Sequence, residues 1–226
     1  MNKSRSMTGG TLLIFAMFLG LILISETARC AAAQTAASPS LERTVKAVNF
    51  RNDMRHLWED HVIWTRMVIV DVAANQPDLN TAVDRLMRNQ VDIGNAIKPY
   101  YGTAAGNKLT SLLRTHIQIS YELLTATKAG DTAKTQDAKT RWYANGDQIA
   151  VFLNSANPKY WPLNTVKSLM RTHLDTTLDE ATARLQGDWA KDVAAFDKVQ
   201  HHILVMSDAI SLGIIRQFPA KFKDSK

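Results

Sequence analysis

The chain has 226 residues, 46% of them hydrophobic and 21% charged, a globular composition that excludes a disordered or collagen-like polypeptide. Its formal net charge is +6, but the basic residues are scattered and not interleaved with aromatics, which argues against nucleic acid as a partner. A single cysteine, Cys30, excludes an intramolecular disulfide, a thiolate metal cluster and covalent haem attachment, and with no P-loop, G-x-G-x-x-G, G-x-S-x-G or H-E-x-x-H motif the chain reads as a binding or structural protein rather than an enzyme.

Residues 1–33 read as a targeting segment. Met1–Met7 carries Lys3 and Arg5 and no acid, and Thr11–Ile24 is a continuous apolar run. Small residues follow at Ala31, Ala32 and Ala33, so cleavage after Ala33 fits a secretory signal. The alternative is an uncleaved transmembrane helix anchoring the chain through residues 11–25. Both readings export the rest of the protein to the periplasm, with the membrane touched only by this segment. Residues 34–40 (QTAASPS) form a small-residue linker, 41–219 the folded domain, and 220–226, with Lys221, Lys223 and Lys226, a basic tail.

From Leu41 onward the apolar period is helical. Stripes run through Met54, Leu57, His61, Thr65 and Val68; Leu86, Asn89, Ile93; Leu112, His116, Ser120; Trp142, Asn145, Ile149; Leu169, His173, Thr177; and Val199, His202, Met206. Breakers stand at 75–78 (NQPD), 98–102 (KPYYG), 129–131 (AGD), 157–162 and 186–188 (QGD), and Pro219 ends the last helix. The fold expected is therefore an all-α, up-and-down bundle of about six helices in three helical hairpins. An internal repeat supports this: Ser111-Leu112-Leu113-Arg114-Thr115-His116-Ile117 matches Ser168-Leu169-Met170-Arg171-Thr172-His173-Leu174.

Each stripe carries one polar residue where an apolar one belongs: His61, Asn89, His116, Asn145, His173 and His202. They are spaced 27 to 29 residues apart, with a turn about midway between each pair. At about 1.5 Å rise per residue, an up-and-down chain brings all six to one level. Buried polar groups need hydrogen-bond partners, so two readings stand side by side. The layer holds a ligand, whether a metal ion, a non-covalent haem or another small molecule, with Met170 and Met206 as further soft ligands. Or it is a purely structural device in a module that meets only protein partners. No carboxylate lies at three or four residues from any of the four histidines, which disfavours a carboxylate-bridged iron or manganese centre.

Leu57-Trp58-Glu59-Asp60-His61-Val62-Ile63-Trp64-Thr65-Arg66 and the run from Asn89 to Gly102, with Arg141-Trp142-Tyr143-Ala144-Asn145 and Ala156-Asn157-Pro158, resemble a family of small exported bacterial helical proteins. The resemblance spans about Leu57 to Phe218. It implies export and an all-helical fold, and brings no activity with it.

Overall fold

The computed structural model describes residues 41–224. The signal or anchor segment and the linker lie outside the described residues. Within them the chain forms five long helices, α1 (Val45–Ala74), α2 (Leu79–Lys128), α3 (Thr132–Ala156), α4 (Leu163–Leu185) and α5 (Trp189–Gln217), with short 3₁₀ turns at Leu41–Arg43 and Pro219–Lys221. No strand occurs among the described residues. The fold is an all-helical bundle.

The helix ends follow from local chemistry. Thr44, Asp131 and Asp188 cap α1, α3 and α5, each side chain accepting from the backbone N–H three residues on. Asn75 (φ 54), Gly130 (φ 71) and Gly187 (φ 74) take the left-handed conformation that ends a helix. The next N–H then reaches back to close the turn: Gln76 to Asp71 O, Asp131 to Ala126 O and Asp188 to Ala183 O, at 2.9–3.1 Å.

At residues 98–102 the outcome differs from expectation. Six helices were expected and five are found, because this segment bends one helix instead of separating two. Pro99 lies inside α2, and Gly102 (φ 83, ψ 167) adopts a backbone that a side chain disfavours. The two arms of α2 then double back on each other. A Cβ at Gly94 would stand 1.9 Å from Thr110 Oγ1, and one at Gly106 2.3 Å from Lys98 Cγ, so these glycines permit the close approach.

Consecutive helices pack side by side, and α5 returns to α1 to close the bundle. The turns at 75–78, 129–131 and 186–188 share one end. At the other end an aromatic group fills the space between the bend and residues 218–222. Tyr100 stacks on Phe222 at 5.5 Å, while Tyr101 packs on Trp161 and Phe218 at 5.8 and 5.2 Å. Gly213 makes room for Trp161, whose indole N–H donates to Ala209 O.

The expectation of a transmembrane helix is corrected: among the described residues no helix is long and apolar enough to cross a membrane. Each described helix has polar and charged residues along its solvent face, which interrupt any apolar run. The run at 11–25 lies outside the described residues.

Candidate functional site: the polar layer and the cleft above it

His61 comes from α1, Asn89 and His116 from the two arms of α2, Asn145 from α3, His173 from α4 and His202 from α5. Five of the six are buried, at 0–4% exposure. His202 is half-buried, at the rim of the layer. The ring of His173 sits between those of His61, at 5.7 Å, and His116, at 6.3 Å.

The hydrogen bonds repeat. Asn89 Nδ2 donates to Leu57 O at 2.9 Å, Asn145 Nδ2 to Leu112 O at 3.2 Å, and His202 Nε2 lies 2.9 Å from Leu169 O. Each acceptor carbonyl is four residues before a layer histidine. Four residues after it, or nearly, the neighbouring stripe position returns a hydroxyl to its own helix: Thr65 to His61 O, Ser120 to Ile117 O and Thr177 to His173 O. The closing turns at Asp71, Ala126 and Ala183 each lie ten residues after a layer histidine.

The tautomer of His116 follows from its partners. Trp142 Nε1–H donates to His116 Nε2 at 3.1 Å, so the ring proton is on Nδ1 and is donated to Asn145 Oδ1 at 2.9 Å. Gln90 Nε2 donates to Leu86 O at 2.8 Å and to Asn89 Oδ1 at 3.1 Å, which takes up both of its hydrogens, and stands 3.3 Å from His61 Nδ1. Burial pushes His116 down to about 4, against the pull of the Asn145 hydrogen bond. Burial and then the nearby His116 push His61 down to about 3. His173 is held well below its ordinary value by burial and then by the other three histidines. His61, His116 and His173 are uncharged at neutral pH.

The expectation of a metal site is corrected. Among the described residues no group of three or more His, Cys, Asp or Glu side chains could hold a metal ion. The physical reason is visible in the layer: the His116 and His173 rings stack instead of converging, and both nitrogens of His116 are already paired. Met170 and Met206 are buried and line the same cavity as His61, His116 and His173. That cavity, on the aromatic side of the layer, measures about 20 Å³. It admits about one water molecule, not a haem. Two buried polar atoms among its lining residues, His173 Nδ1 and Trp58 Nε1, lack a partner.

Comparison with known protein families, curated proteins and solved structures gives no match. The chain's own geometry therefore carries the reading.

Other features have little or no local signature in the sequence. On the turn side of the layer a cleft of about 50 Å³ opens between α1, both arms of α2 and α4, with Val68, Leu86, Ile117, Leu124, Leu178 and Leu185 in its walls. Beside α1, Arg66 bridges Glu180 at 2.8 Å and Asp192 at 2.9 Å, both carboxylates buried, and Arg184 reaches Asp192 at 3.3 Å. Burial pushes Glu180 up to about 7, outweighing the opposing effect of Arg66. Arg66 and Glu180 are 114 residues apart, so no local motif announces them. Trp142, which sets the His116 tautomer, stands three residues before Asn145 in the same stripe, and Gln90 stands next to Asn89, with no signal of its own.

Proposed function

We propose that the chain is an exported structural or protein-interaction module, built from three helical hairpins whose register is set by the polar layer. The hairpins are α1 with the first arm of α2, the second arm of α2 with α3, and α4 with α5. One observation carries this reading. In each unit the polar residue of the second helix pairs with the carbonyl four residues before the layer histidine of the first. A one-residue slip of either helix would leave a buried carbonyl and a buried amide or imidazole unpaired, at about 1–3 kcal/mol each. Exposed Trp189 and Val193, one turn apart on α5, together with Ile63 and Met67 on α1, support a role in contacting other proteins. The basic start, the apolar run at 11–24 and the small residues before Gln34 support export, as does the resemblance to exported helical proteins.

A second reading, a small uncharged ligand at the layer, is favoured by the unpartnered His173 Nδ1 and Trp58 Nε1. The cavity beside them limits that ligand to about the size of water. Native mass spectrometry of protein purified from the periplasm, with melting of a His116→Leu/His173→Leu variant, decides between the two. For the module, the expected mass starts at Gln34 with nothing bound, and the variant loses about 1–3 kcal/mol for each of the two groups that His116 leaves unpaired, Trp142 N–H and Asn145 Oδ1. A co-purifying molecule lost in the variant would overturn it in favour of the ligand.

A further inference from the structure

We propose that the histidine layer is an acid-operated latch between α1 and α4, closed at neutral pH and parting in mild acid to open the apolar cleft above it. The proposal rests on the layer geometry and holds whether or not a partner binds elsewhere. Helices α1 and α4 meet over only a short stretch. There the His61 and His173 rings face each other at 5.7 Å, and Arg66 reaches Glu180.

One of the three buried rings, His116, has a donor aimed at the nitrogen a proton would take. Trp142 N–H occupies His116 Nε2, while the two hydrogens of Gln90 Nε2, 3.3 Å from His61 Nδ1, go to Leu86 O and Asn89 Oδ1. A proton on His116 Nε2 would oppose an N–H that cannot accept it. His173 Nδ1 is unpartnered, so it is a position a proton reaches without displacing a donor. A charge there would have no anion to meet. The groups that share its cavity or bear on it are Trp58 and His61 from α1, His116 from α2, and Met206 and His202 from α5. The charges that bear on His173 are those of the other three histidines, all of the wrong sign.

A buried ionic group, Arg66 with Glu180 and Asp192, lies about two turns along α4. Glu180 takes up a proton more readily in the closed form than in water, so it resists opening. Three imidazoles act against that one carboxyl. Once α1 and α4 part, the rings are hydrated and take protons at ordinary values, so mild acid favours the open form by mass action. The cleft wall is built from the same two helices, with Thr65, Val68 and Ile69 on α1 and Thr177, Leu178 and Ala181 on α4. Parting them exposes its apolar lining.

The test is amide hydrogen exchange and binding of an environment-sensitive apolar dye on the full chain, at about pH 7 and about pH 5, with His61→Leu/His173→Leu alongside. The expected result is about a tenfold loss of protection in residues 61–72 and 173–185 in acid. Dye binding should rise, helix content should be kept, and more than one proton should be taken up per molecule. The double variant should stay closed at the acid pH. Since that variant could fail to fold, ring nitrogens of the unaltered chain are also titrated by NMR, and the expected result is one shared step coincident with the loss of protection. Rings that titrate singly near about pH 6.5 with exchange unchanged would overturn the latch. So would a double variant that opens at the same pH, or loss of all helix in a single step.

Discussion

At the scale of single residues the layer is a closed chain of hydrogen bonds around His116: Trp142 donates to it, it donates to Asn145, and Asn145 donates to Leu112 O. Asn145→Ala removes the link that satisfies both His116 Nδ1–H and the carbonyl, so a loss of about 1–3 kcal/mol is expected from urea unfolding at neutral pH. Adding His116→Leu removes that stranded N–H but leaves Trp142 N–H unpaired in its place, so little of the loss should be recovered; a double-mutant cycle reads the coupling. Arg66 belongs to the same scale. Replacing it by Met leaves Glu180 and Asp192 buried, with Asp192 helped only by Arg184 at 3.3 Å. The expected loss is about 3–5 kcal/mol at neutral pH, shrinking in acid as Glu180 takes a proton. A loss that is the same at both pH values would show that Glu180 is solvated in the native protein.

At the scale of the helix, punctuation decides the outcome. Gly130-Asp131 and Gly187-Asp188 each end one helix and cap the next, and Asn75 and Asp78 occupy the corresponding places at the first turn. These breaks, the stripes and the layer were legible in the sequence because they depend on residues within a few turns of one another. The bend at 98–102 was legible as a break but not as a bend. Whether Pro99 and Gly102 separate two helices or fold one depends on how closely the arms can meet, and that is settled by Gly94 and Gly106 across the pair. The half-exposure of His202 was not legible either, since spacing gives the level of a residue on the axis and not its distance from it. The Arg66 cluster and the cleft arise from helices that approach only in three dimensions. Gly102→Ala should cost about 1–3 kcal/mol, as its φ and ψ lie where a side chain is strained, while no neighbour lies within 4 Å to add a clash. Gly94→Ala meets Thr110 and the Gly106 carbonyl instead, and circular dichroism melts should rank it at least as damaging.

At the scale of the whole molecule, stability is tied to pH. The folded-state values of His61 and His116 lie below the unfolded ones, so the unfolded chain binds more protons and stability falls as pH drops below about 6.5. At about pH 5 each costs about 2 kcal/mol, with a further contribution from His173. Glu180 has the opposite sign: its folded value is raised, so acid stabilises the fold through it, offsetting about 2 kcal/mol over the same range. Urea unfolding at about pH 7 and about pH 5 should show a net loss of at least about 2 kcal/mol in the unaltered chain, and a steeper loss in Glu180→Gln. An unchanged midpoint would mean that the layer is hydrated in the native state.

The closure of α5 on α1 has a mechanical consequence. Thr44 Oγ1 donates to Phe222 O at 2.7 Å and the Val45 N–H to Asp224 at 3.2 Å, so the two ends of the described chain leave the bundle side by side. Tension applied between those ends peels α5 from α1 one bond at a time instead of shearing the whole seam at once. Glu42–Arg216 is loaded early, then Asp208 with Arg51 and Arg55, and Arg66–Asp192 last. In single-molecule stretching the ends should therefore separate at low force, with the hairpins at the chain's middle yielding after the seam has gone.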